Sequence, residues 1–137
     1  MSKLPKATDW KNRHIDDWNT TTFHEYLRDK HVETFGIDYV PFRSWTAEKG
    51  MIGNIIGTKT KPRRASNEEL KRFIDVTFDN YEPSRQYPGT SFGFMWSYRK
   101  YDWQRVQAEY LAEQRRGEQA EDDESKSDDV DDLLDWI

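Results

Sequence analysis

Six cations fall within fourteen residues: Lys59, Lys61, Arg63, Arg64, Lys71 and Arg72. The first four belong to Thr58-Lys59-Thr60-Lys61-Pro62-Arg63-Arg64, a loop with no apolar residue except its proline. A cluster of this kind neutralises phosphates, and each phosphate neutralised releases condensed counterions. The same cluster can equally be a solvated loop that keeps a chain soluble, and the sequence leaves both readings open. Further on, Phe92, Phe94, Trp96, Tyr98, Tyr101 and Trp103 interleave with Arg99, Lys100 and Arg105. Aromatics beside cations stack bases and hold a strand. At helical spacing such rings are ordinarily core, and Tyr98 and Tyr101, off the buried stripe, are the best candidates for exposure.

A third pattern lies in Ser127-Asp128-Asp129-Val130-Asp131-Asp132-Leu133-Leu134-Asp135-Trp136-Ile137. Val130, Leu133, Leu134 and Ile137 stand at i, i+3, i+4 and i+7, and aspartates fill the early positions where a helix dipole favours them. Ser127 can cap the segment. The peptide is too short to be helical alone, but it can fold against a partner's apolar groove rimmed by Lys and Arg. We expect Val130, Leu133, Leu134, Trp136 and Ile137 to form such a docking tip. A plain solubility tail is the simpler reading, yet it requires no Leu-Leu-Asp-Trp-Ile.

Residues for catalysis are sparse. His14, His24 and His31 have no metal-type spacing, and Glu25, Asp29 and Glu33 at i, i+4, i+8 are ordinary for a helix surface. No phosphate-binding glycine loop, nucleophile elbow or dinucleotide fingerprint occurs. The reading is a non-enzymatic protein with no catalytic residue, metal or cofactor. The absence of cysteine removes disulfides and thiolate metal sites. No apolar run has the length of a membrane span, and the first residues lack a signal-peptide core, so a cytoplasmic location with no membrane partner is expected.

The elements that position these groups follow from charge and periodicity. Residues 1–116 carry 20 Lys/Arg against 16 Asp/Glu, a net +4; residues 117–137 carry one Lys against 10 Asp/Glu, a net −9. The expected plan is an N-terminal arm (1–18), a helical domain (19–116) and an acidic tail (117–137) that repels itself into disorder. Within the domain, Thr22 and Glu25 form a capping-box pattern for a first helix that stops at Gly36. A second helix spans about Thr46 to Ile56, with Gly50, Gly53 and Gly57 on one face for close approach of another backbone. Ser66 and Glu69 cap the third, whose Leu70, Phe73, Ile74, Thr77, Phe78 and Tyr81 make the amphipathic stripe. A long last helix should start at Thr90 or Ser91, bury Phe92, Met95, Trp96, Trp103, Val106 and Tyr110, and end at Gly117. The fold class is therefore all-α, with about four helices and a disordered acidic C-terminal tail.

The terminal Asp128-Asp129-Val130-Asp131-Asp132-Leu133-Leu134 resembles the acidic C-terminus of the single-stranded-DNA-binding proteins of T4-type phages. In that family the tail recruits replication partners and competes with DNA. Leu133 to Ile137 is similar in character to the peptides by which phage late-transcription factors grip the sliding clamp. The plan of a small helical domain plus acidic tail resembles phage replicative-helicase loaders. The body carries no five-stranded barrel pattern, so the first resemblance is confined to the tail. Together these imply a phage-type DNA replication accessory protein that contacts DNA, single- or double-stranded, through the basic loop. Its tail would then recruit a replication or transcription protein, or cover the domain's own basic face. The alternative is a protein–protein adaptor without DNA binding: a transcription co-activator or an inhibitor of a host enzyme.

Overall fold

The computed structural model describes the backbone of residues 4–134 and the side chains of residues 4–120. Five α-helices and one 3-10 turn make up its regular structure, with no strand among the described residues. They are α1 (Thr20–Phe35), α2 (Trp45–Ile56), α3 (Asn67–Asn80), α4 (Phe92–Tyr98) and α5 (Lys100–Leu134). The class is all-α as expected, with one helix more than the four anticipated.

Helix α3 follows its sequence pattern closely. Ser66 accepts from the Glu69 amide and Glu69 returns the bond to the Ser66 amide. Leu70, Phe73, Ile74, Thr77 and Phe78 are buried, and Tyr81 is half-buried just past the helix. Helix α1 starts three residues earlier than a cap at Thr22 would place it. Its capping box is Asn19 with Thr22, because Asn19 is already extended and can present its side chain to the Thr22 amide. Gly36, with φ of 75°, ends α1 as anticipated.

The glycines of α2 do not form a backbone-packing face. Gly50 meets open space, Gly53 faces the methyl groups of Thr58 and Thr20, and Gly57 terminates the helix at φ 91°. A Cβ at Gly57 would stand 2.9 Å from the Arg63 amide nitrogen, so this position needs glycine for its conformation and for the folded-back loop.

The long last helix is broken at Arg99, giving α4 and α5. An unbroken helix would carry position 99 into the stripe that Phe92, Met95, Trp96, Trp103 and Val106 define. The break lets Arg99 turn out and pair with Asp102 at 2.8 Å. Phe92, Met95 and Val106 are buried, with Trp96, Trp103 and Tyr110 half-buried. Gly117 does not stop α5. One interior glycine costs about 1 kcal/mol, and its neighbours Glu113 to Arg116 and Glu118 to Ala120 are good helix formers. Every residue from Leu111 to Ala120 is exposed, with Glu113 still tied to Arg72 of α3.

The N-terminal arm lays its rings on the domain. Trp18 is buried, and Trp10 packs edge-on against Tyr26 at 4.8 Å between centroids. Buried Asn67 donates to the carbonyls of Ile15 and Trp18, tying the arm to the start of α3. The core is a single aromatic-rich cluster between α1, α2, α3 and the α4–α5 stripe.

Candidate nucleic-acid interface

The basic loop is a built structure rather than a slack connection. Thr58 and Lys61 exchange backbone hydrogen bonds, closing a tight turn. The amides of Arg64 and Ala65 both donate to the Ile55 carbonyl, folding the loop back along α2. Lys59, Lys61, Arg63 and Arg64 are all exposed. Lys61 donates to Asn54, and Arg63 reaches the Asn67 side chain at 2.9 Å. None of the four joins an ion pair among the described residues.

Lys71 and Arg72 are placed differently. Lys71 pairs with Asp75 at 2.9 Å and lies over the Tyr26 ring. Arg72 pairs with Glu68 at 3.0 Å and with Glu113 at 2.7 Å, which raises its own pKa and lowers that of Glu113. Both cations hold helices together, so the exposed, ion-pair-free cations of the cluster are the four on the loop.

Beside the loop, α2 and the α4–α5 stripe enclose a cleft of about 400 Å³. Arg64 and Lys100 stand at it, with the amides of Asn54 and Gln107 and the rings of Trp96 and Trp103. Lys100 lies 3.1 Å from the Trp96 ring centroid, and burial lowers its pKa. Tyr98 and Tyr101 are exposed at 69% and 86%, as their positions off the stripe imply, but on neither side do they line this cleft.

A second, larger concavity of about 610 Å³ lies where the 37–43 connector meets the 87–91 segment. Its wall is mainly apolar, with Val40 73%, Tyr87 61% and Phe94 41% exposed. His31 fixes that wall. Its Nδ1–H donates to the Ile37 carbonyl and its Nε2 accepts from the Thr90 amide, so the ring is the neutral Nδ1 tautomer. Gly89 is backed onto this ring: a Cβ there would stand 2.5 Å from Nε2.

The sequence reading does not anticipate the buried carboxylate of Glu48. It accepts from the Tyr39 hydroxyl and from the amides of Phe42 and Gly93, while Tyr39 accepts from the Phe92 amide. Burial raises the pKa of both side chains. His24 Nε2 stands 3.8 Å away, has no hydrogen-bond partner, and its pKa is pushed down to about 4, first by burial and then by Lys49. The signal was present in the spacing, since Glu48 precedes buried Ile52, Ile55 and Ile56 by 4, 7 and 8 residues and so shares their stripe. With three donors on the carboxylate and none of the cavities described lined by it, this knot is architectural.

Glu25, Asp29, His24 and Asp75 do not converge on any of the cavities described. Asp29 accepts from the Trp10 indole, and Asp75 accepts from Tyr26 and Lys71. No cluster of metal-ligating side chains occurs among the described residues. None of their helices is long and apolar enough to cross a membrane. For Val130, Leu133 and Leu134 only the backbone is described, and Trp136 and Ile137 lie outside the described residues. Comparison with protein-family models, curated proteins and solved structures finds no match.

Proposed function

We propose that this chain is a non-enzymatic, phage-type DNA replication accessory protein. Its body contacts DNA through Lys59, Lys61, Arg63 and Arg64. Its acidic C-terminal segment recruits a replication protein through Val130, Leu133, Leu134, Trp136 and Ile137. The observation that carries the reading is the loop itself: four exposed cations, held by backbone bonds on a folded-back turn and, among the described residues, without the carboxylate partners that Lys71 and Arg72 have. Four phosphate contacts give a salt slope in log affinity against log salt of roughly −3 on a single strand and roughly −4 on a duplex. Anisotropy titrations of labelled single- and double-stranded oligonucleotides at several salt concentrations test it. No binding to either strand form at low salt removes the nucleic-acid half of the proposal.

The apolar concavity supports a second reading, a protein–protein adaptor such as a transcription co-activator or an inhibitor of a host enzyme. Val40, Tyr87 and Phe94 offer a partner more apolar surface than a solvated wall requires. Under that reading a Lys59/Lys61/Arg63/Arg64→Ala variant keeps full function, while Val40→Asp abolishes partner capture.

A further inference from the structure

The three concavities described differ in their chemistry. The lining of the apolar one includes both Asp38 and Arg43, and that of a smaller one both Glu82 and Arg99. The cleft between α2 and α5 has no carboxylate in its lining. In a chain with a net charge of −5, it gathers two cations, two amides and two tryptophans. It also adjoins the basic loop directly, because Arg64 belongs to both and Lys61 is bonded to Asn54 of the cleft.

We infer that this cleft receives an unpaired base of a single-stranded nucleic acid whose phosphates run across the loop. The inference rests on the nucleic-acid reading above and narrows it to one strand form. Each part of the lining has a matching part in a nucleotide. The Asn54 and Gln107 amides offer both donors and acceptors to a base edge. Trp96 and Trp103 offer ring surface for stacking, which tolerates any base. Arg64 and Lys100 are placed for the flanking phosphates.

The resting position of Lys100 fits this use. Its ammonium lies over the Trp96 ring, which is also stacked on Phe92 at 5.9 Å between centroids. An incoming base takes the ammonium's place on the ring, and the ammonium moves out to a phosphate. A paired base cannot do this, because its edge is occupied and its faces are stacked within the duplex. A duplex therefore reaches the loop but not the cleft.

The test uses the full-length protein with about twelve-nucleotide oligothymidylate and oligouridylate strands, each carrying one 5-iodouracil, and a duplex of the same length. Photocrosslinking followed by peptide mapping is expected to mark Trp96 or Trp103. Single strands are expected to bind about tenfold more tightly than duplex, the gain of stacking one base. Lys100→Glu, an exposed substitution, is expected to weaken single-strand binding more than duplex binding and so to reduce that preference. The tighter of the two single strands identifies DNA or RNA as the source. Equal affinity for single and double strands, or crosslinks confined to residues 58–63, overturns the cleft assignment and leaves the loop reading standing. Absence of binding to every strand overturns both.

Discussion

The hydroxyl of Tyr39 donates to the buried carboxylate of Glu48 and accepts from the Phe92 amide. Through these two residues the 37–44 connector, α2 and the first turn of α4 are joined by one hydrogen-bonded chain. Tyr39→Phe leaves the Phe92 amide without a partner and Glu48 with one donor fewer. It should lower stability by about 1–3 kcal/mol, read from the urea midpoint. Glu48→Gln should cost a similar amount, since an amide cannot accept from all three donors. An unchanged midpoint in both variants would remove the knot from the account.

His24 makes stability depend on pH. Its folded pKa of about 4 lies below the ordinary 6.5, so the folded state favours the neutral ring and the unfolded chain binds the proton first. This contribution is complete above pH 6.5 and is lost as pH falls from 6.5 through 4. Discounted for the ring's partial exposure, the shift corresponds to a loss on the order of 1–2 kcal/mol. Glu48, whose folded pKa is raised, acts in the opposite sense, its contribution falling as pH rises through its folded value. The difference in melting temperature between wild type and His24→Gln isolates the His24 part. That difference should shift in favour of the variant as pH falls from 7 to 4.5.

Gly89→Ala should destabilise the wall of the apolar concavity. The added methyl meets His31 Nε2 at 2.5 Å, displacing the ring from the Thr90 amide. A cost of about 1–3 kcal/mol is expected from overpacking. Hydrogen exchange should show faster exchange at Thr90 in the variant. Retained protection there would contradict the packing described.

Lys71 and Arg72 separate structural cations from binding ones. Lys71→Ala and Arg72→Ala should lower thermal stability slightly and leave the salt slope of nucleic-acid binding unchanged, because both are held by carboxylates. A reduced slope would move them into the interface. Deleting residues 128–137 should abolish capture of a replication partner and leave the melting temperature of the body unchanged.

What the sequence makes legible here is local or periodic. The Ser66–Glu69 cap and the Leu70-to-Phe78 stripe can be read because each partner lies within one or two turns of the other. The exposure of Tyr98 and Tyr101 follows from the same periodicity. The Arg99 break was legible only weakly, as a cation on an apolar stripe. Glu48 was harder, because its partners Tyr39 and Gly93 lie 9 and 45 residues away and chain contacts at such distances leave no spacing rule. The four loop cations were readable as a cluster. Their separation from Lys71 and Arg72 was readable only in part: Asp75 and Glu68 stand four residues from these cations, but Glu113 lies 41 residues from Arg72. The cleft required the fold, which brings Asn54 and Arg64 beside Lys100 and Gln107.

The central claim is that the 58–64 loop binds nucleic acid through its four cations. The most direct measurement is the salt slope of oligonucleotide binding for wild type and for Lys59/Lys61/Arg63/Arg64→Ala, with circular dichroism confirming that both are folded. The account predicts a slope of roughly −3 on a single strand for wild type and a slope near zero, with weak residual binding, for the variant. Equal slopes and equal affinities in the two proteins would contradict it.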